Sequence, residues 1–218
     1  MSSAWTAAER AFRFAAGRFE GTLERTDDGK SLRIVLGGIR IGTLGDLQWT
    51  LEDGGAKGAT VPVPDVAYIQ QPYAVAPFVV NSEVGLRLTA FFRATDDGID
   101  ADFRLATVET LASVSLDVVC EWPNNGYRAV AESGNRRRFP GVSAGVVDYG
   151  HGKATFLTDV GEHGEFKASS NGGALKLFNQ SLEKGVILVG RFALRPSTDP
   201  AQIQRDLDAW LDHPTASL

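Results

Sequence analysis

Glu121, Trp122, Asn125, Tyr127 and Arg128 fall within eight consecutive positions. Aromatic rings stack on the apolar faces of sugar rings, while amides, carboxylates and guanidinium groups bond the hydroxyls. Set at the end of a strand, this mixture suits a carbohydrate or a similar polar small molecule. The plainer alternative puts Trp122 in the core and the rest in a solvated turn.

A second group lies downstream in Asp148-Tyr149-Gly150-His151-Gly152-Lys153. Flanking glycines let a backbone approach a ligand closely. An imidazole beside Asp148 and Tyr149 can act as a general base near neutral pH, and a polar turn explains the same residues without chemistry. Gly141-Val142-Ser143-Ala144-Gly145 matches the nucleophile-elbow pattern of serine hydrolases, with Asp148, His151, Asp159 and His213 as candidate partners for Ser143. That chemistry needs the serine on a tight turn between a strand and a helix. The residues after Ser143 read as a strand, and a Gly-rich turn is the ordinary alternative.

Asp159, His163 and Glu165 carry metal-ligand chemistry, but Gly161-Glu162-His163-Gly164 reads as a solvated hairpin turn and no third firm ligand is evident. The expectation is no metal and no cofactor. Arg136-Arg137-Arg138 could hold a carboxylate or phosphate, although three consecutive side chains on an extended strand cannot all face one ligand.

The elements that would position these groups are strands. Thr-Asp-Asp-Gly occurs at residues 26–29 and again at 95–98, each time between alternating apolar runs. Each copy reads as a hairpin turn, capped by Asp and closed by Gly at positive φ. Pairing outward from the second turn sets Ala94 against Ile99, Phe92 against Ala101, Ala90 against Phe103 and Leu88 against Leu105. The other face opposes Arg93 to Asp100 and Thr89 to Arg104. The same rule in the first hairpin sets Leu23 against Leu32, Gly21 against Ile34 and Phe19 against Leu36.

Residues 39–41 and 47–51 continue the strands. Pro62, Pro64, Pro72 and Pro77 lie in apolar sequence and predict a sheet edge or a long surface loop over residues 54–82. Further strands are expected at 144–147, 154–157, 165–168, 174–178 and 186–194. Thr6-Ala7-Ala8-Glu9 resembles a capping box and predicts a short N-terminal helix ending at Gly17, with Phe12-Arg13-Phe14 as a competing strand start. Asp199, with Pro200 after it, predicts the cap of a C-terminal helix whose apolar stripe is Ile203, Leu207, Trp210 and Leu211.

The chain has 218 residues, 22 basic and 27 acidic side chains and a formal net charge of −5. A general nucleic-acid binder needs a basic face, so nucleic acid is not an expected partner. Cys120 is the only cysteine, which excludes an intrachain disulfide, and it ends an apolar run that predicts burial. No apolar stretch reaches membrane-helix length and no signal-peptide pattern opens the chain, so no membrane partner and a cytoplasmic location are expected.

The alternation of strands and helices that marks a parallel sheet is absent. The expected fold is mainly β: one large antiparallel β-sandwich domain over residues 1–218, with a short N-terminal helix and a C-terminal helix. The long hairpin and following strand over 84–122, ending in Leu116-Asp117-Val118-Val119-Cys120-Glu121-Trp122, resemble the galactose-mutarotase-like supersandwich domains of sugar epimerases and glycosidase-associated modules. The resemblance extends loosely to Leu194. It implies a sandwich with a cleft for a sugar. Epimerases of that family use two histidines and a glutamate, and after the hairpin this chain carries Trp122-Pro123-Asn124 instead.

Three functions therefore stand side by side. The leading one is a β-sandwich that binds a carbohydrate, sugar phosphate or similar polar molecule near Trp122, Tyr127, Arg128 and His151, with acid–base chemistry as an extension. The second is a hydrolase using Ser143 or a His151 general base. The third is an interaction module without a small-molecule site.

Overall fold

The second Thr-Asp-Asp-Gly turn folds as its residues dictate. In the computed structural model, Ala94 pairs with Ile99, Phe92 with Ala101, Ala90 with Phe103 and Leu88 with Leu105, and the other face sets Arg93 against Asp100. Gly98 has a φ of +151°, and a Cβ there would lie 1.9 Å from the Leu194 carbonyl oxygen, so a side chain cannot be accommodated. The structure describes residues 6–8, 11–16, 19–25, 32–37, 39–44, 48–51, 56–59, 61–62, 68–81, 85–96, 98–122, 127–132, 143–148, 152–160, 164–169 and 171–212.

The strands, in chain order, begin with β1 (Thr6–Ala8), β2 (Ala11–Ala16), β3 (Phe19–Arg25), β4 (Leu32–Leu36), β5 (Ile39–Leu44), β6 (Gln48–Leu51) and β7 (Ala56–Ala59). Then come β8 (Val61–Pro62), β9 (Tyr68–Gln70), β10 (Tyr73–Asn81), β11 (Leu86–Thr95), β12 (Gly98–Thr107) and β13 (Leu111–Glu121). The last are β14 (Tyr127–Glu132), β15 (Ser143–Asp148), β16 (Lys153–Asp159), β17 (Gly164–Ala168), β18 (Gly172–Leu182) and β19 (Gly185–Arg195), before helix α1 (Pro200–Asp212). Among the described residues they form two antiparallel sheets. Sheet A runs β1-β2-β3-β4-β5-β13-β18-β17, with β6 and β7 attached through β13; sheet B runs β14-β15-β16-β19-β12-β11-β10-β8, with β9 on β10.

One core lies between the sheets. Sheet A contributes Phe19, Leu23, Leu116, Cys120 and Leu175, and sheet B contributes Leu88, Phe92, Phe103, Phe156, Phe192 and Leu194. At its centre Phe103 meets Phe192 with ring centroids 5.5 Å apart, and Phe192 meets Phe156 at 5.3 Å. Phe166 of sheet A reaches both Phe156 and Phe192 at 6.0 Å, which joins the two sheets through aromatic contact. The architecture is the expected antiparallel β-sandwich.

Three local expectations differ. Residues 6–8 and 11–16 form a hairpin, not a helix; β2 lies along the whole of β3, from Ala11 opposite Glu24 to Ala16 opposite Phe19. A capping box and a few alanines give a weak helical preference, and the ladder with β3 overrides it. In the first hairpin Leu23 faces Ile34 and Gly21 faces Leu36, two residues beyond the expected register. Because strands repeat every two residues, the faces are preserved. The turn itself, residues 26–31, lies outside the described residues. The Gly-rich and Arg-rich sequence of residues 131–145 reads as a loop, but β14 runs on to Glu132 and β15 begins at Ser143.

The proline-rich segment lies at the edge of sheet B, as its composition requires. Pro62 ends the two-residue β8, and Pro77 falls between the part of β10 that pairs with β9 and the part that pairs with β8. The Gln71–Pro72 bond is cis. At the other end of the chain the Asp199 side chain accepts a hydrogen bond from the Gln202 amide at 3.0 Å and caps α1. Ile203, Leu207 and Trp210 pack on Ala144, Leu157 and Ala193, so α1 covers part of the outer face of sheet B. Among the described residues no helix is long and apolar enough to cross a membrane.

Two measurements check this packing. Phe103→Ala is expected to lower stability in urea by about 3–5 kcal/mol, whereas Val186→Ala, at an exposed position, should change it by less than about 0.5 kcal/mol. Burial, helped by the charge of Glu121, raises the Cys120 thiol above its ordinary 9.0. The unfolded chain therefore releases this proton first, and stability falls as pH climbs past that ordinary value. A thiol reagent should leave the folded protein unmodified and label one group after denaturation.

Candidate functional site

The chain crosses from sheet A to sheet B between β13 and β14, through the segment singled out for its chemistry. Glu121 is the last residue of β13 and is exposed, opposite Arg40 and Gly172. Trp122 is buried. Its ring packs on Phe156 at 5.3 Å, its indole N–H donates to the Ser169 carbonyl at 3.0 Å, and its amide N–H donates to the Asn171 carbonyl. The expectation of a stacking platform at Trp122 is thereby corrected: an amphipathic ring with an apolar body in the core and a satisfied N–H offers no face to a sugar. Asn125 lies outside the described residues.

On the far side of the crossing, β14 and β15 form the edge of sheet B. Tyr127 stands opposite Val147, and Arg128 opposite Val146. Val147 belongs to the core and Val146 packs against the α1 cluster. Strand alternation therefore assigns positions 127 and 147 to the core side, and positions 128, 146 and 148 to the α1 side. Asp148 ends β15 opposite Lys153, the first residue of β16. His151 belongs to the connection between these two residues and lies outside the described ones. The register thus puts positions 128 and 148 on one face of sheet B, opposite the core that holds Trp122.

Ser143 is not at an elbow. It opens β15, opposite Glu132 on one side and Thr158 on the other, and strand rather than helix follows it. A serine paired on both sides in antiparallel ladders, with strand after it, lacks the sharp strand-to-helix turn that exposes a nucleophile. His213 and His163 lie outside the described residues. The two carboxylates of the metal hypothesis have basic partners: Asp159 takes Arg191 at 2.9 Å, and the exposed Glu165 takes Lys167 at 3.1 Å.

A larger polar constellation, missed at the sequence level except for one pair, lies on the outer face of sheet B. Asp100 is buried and its carboxylate is shared. One oxygen accepts from Arg93, through Nη2 and through Nε at 3.2 Å; the other accepts from Arg195 Nη2 at 2.7 Å. Arg195 also donates to the Leu194 carbonyl at 3.0 Å. Burial opposes the charge of Arg93, but the hydrogen bond and charge of Asp100, with help from Tyr73, leave its pKa raised. Nearby, Arg191 pairs with Asp159 and lies 4.6 Å over the ring of Trp210, pinning α1 to the sheet. Arg104 lies 5.2 Å over Phe91. The available signal was the outward alternation of Arg191 and Arg195 around Phe192 and Leu194.

No protein-family description matches the chain, and no curated protein does. Among solved structures, one described as "Putative kojibiose phosphorylase from human microbiome" aligns with 92% of this chain and 29% of its own length, at 11% identity and a TM-score of 0.46. A likeness at that distance decides nothing about the site.

The shared carboxylate makes a direct prediction. Asp100→Asn leaves two guanidinium groups around a neutral amide in a buried setting, and is expected to cost about 3–5 kcal/mol in urea denaturation. Arg93→Met, at the more exposed partner, should cost less than Arg195→Met.

Proposed function

We propose that the protein binds a carbohydrate or closely related polar small molecule at the end of sheet B where β14, β15 and the β15–β16 connection meet. The observation that carries this reading is the register of β14 and β15, which brings positions 128 and 148 to one face; His151 follows in sequence between Asp148 and Lys153. A guanidinium and a carboxylate at neighbouring positions supply the donors and acceptors that vicinal hydroxyls need. Glu121, Asn125 and Tyr127 belong to the crossing that leads into the same end. His151 is the residue for any acid–base step, since imidazole exchanges protons near neutral pH. Ser143 has no part in this site.

The test is a thermal-shift screen against neutral mono- and disaccharides. Binding to the native state should raise Tm by linkage. Arg128→Ala and His151→Ala should each reduce the shift, and Ser143→Ala should leave it unchanged. An equal shift in Arg128→Ala and His151→Ala would place the ligand elsewhere. No shift with any sugar would leave the chain an interaction module.

A further inference from the structure

Helix α1 runs back over the outer face of sheet B beside the strands that carry positions 128 and 148. Its approach is fixed where the Thr155 hydroxyl donates to the Ser197 carbonyl. Thr155 stands opposite Val146, and Val146 opposite Arg128. Its last turn reaches Arg191 of β19, whose guanidinium lies 4.6 Å over the Trp210 ring. Along the way the backbones of α1 and β14 bring Cα atoms within 8 Å of each other. The helix therefore stands alongside β14 and β15, starting from the row that holds position 128.

The two flanks of α1 differ. Ile203, Leu207 and Trp210 face the sheet, and Trp210 leans towards β19, where it meets Arg191. At 3.6 residues per turn, the opposite flank carries Gln204 and Asp208 and faces β15 and β14. Gln204 Nε2 donates to Asp208 Oδ1 at 2.9 Å. Neither side chain makes another hydrogen bond or ion pair among the described residues. The Gln204 carbonyl, its second amide N–H and the second Asp208 oxygen are therefore open to a ligand. The flank towards β12 repeats the spacing but is closed on itself. There Gln202 donates to Asp206 at 2.6 Å, and its carbonyl accepts from Arg205 Nη2 at 2.7 Å.

We infer that Gln204 and Asp208 form a second subsite, which takes one ring of a neutral disaccharide while the other ring binds at positions 128 and 148; this rests on the sugar-binding reading above. An amide and a carboxylate already aligned by their own hydrogen bond can engage neighbouring hydroxyls with little further ordering. The carboxylate accepts hydroxyl protons and repels an anionic ring, which makes the ligand neutral. A strand rises about 3.3 Å per residue, so the stretch from Asp148 back to Ala144 spans about 13 Å. That length takes two sugar rings, and α1 packs on Ala144 at its far end.

Titration calorimetry with glucose and maltose as probes tests this assignment. Maltose should bind the unmodified protein more tightly than glucose. Alanine is the best helix former, so Gln204→Ala and Asp208→Ala preserve α1. Each should weaken maltose about fivefold to tenfold, the worth of one hydrogen bond to a neutral or charged group. Neither should alter glucose affinity, a split that a general loosening of the helix would not produce. Gln202→Ala, on the flank towards β12, should leave both sugars unaffected, and Arg128→Ala should weaken both. Maltose affinity unchanged in Gln204→Ala and Asp208→Ala, with Arg128→Ala still weakening it, would overturn the subsite and leave the site at Arg128 standing. Sugar affinities that Arg128→Ala does not alter, or no binding of either sugar, would overturn both.

Discussion

The carboxylate of Asp100 ties three strands together at one buried point. Each of its oxygens takes a guanidinium from a different neighbour, Arg93 on β11 and Arg195 on β19. Directly behind it, on the other face of the same strands, Phe103 packs against Phe92 and Phe192. A slip of one residue along either ladder would carry the phenylalanines outward and the charges into the core. The polar and apolar faces therefore enforce the same register, and the rest of sheet B is built outward from it.

From that register follow the positions of everything with chemical potential. β19 carries Arg191 to Asp159 and to the ring of Trp210, which seats α1 on the outer face. Once α1 covers Ala144, Leu157 and Ala193, the outer face is divided. Positions 128 and 148 share it at the β14–β15 edge of sheet B, and the ion pairs of Asp100 occupy β11, β12 and β19. The inner face along these strands is mainly aromatic and aliphatic, and the core claims Trp122.

Much of this was legible in the sequence where the determining contacts are local. The second hairpin is fixed by its own turn, because Gly98 takes the positive φ that closes it, and its register follows. Helix α1 is fixed by Asp199, Pro200 and its stripe. The first hairpin kept its faces but moved by two residues, since β4 begins only at Leu32 and alternation cannot count loop residues. The N-terminal helix was misread because its fate depends on β3, a partner that local propensity does not sense. Trp122 was ambiguous for a chemical reason: the same apolar ring and polar N–H serve a core or a sugar site equally well. The Arg195–Asp100 pair spans 95 residues of chain, so no local pattern announces it.

The central proposal is that a sugar meets this sandwich on the outer side of sheet B, at the end formed by β14 and β15. Amide chemical-shift mapping by NMR during a titration with a neutral disaccharide tests it most directly. The predicted result is one group of shifting amides around Tyr127, Arg128 and Asp148. Shifts confined to sheet A, or none at all, would contradict it.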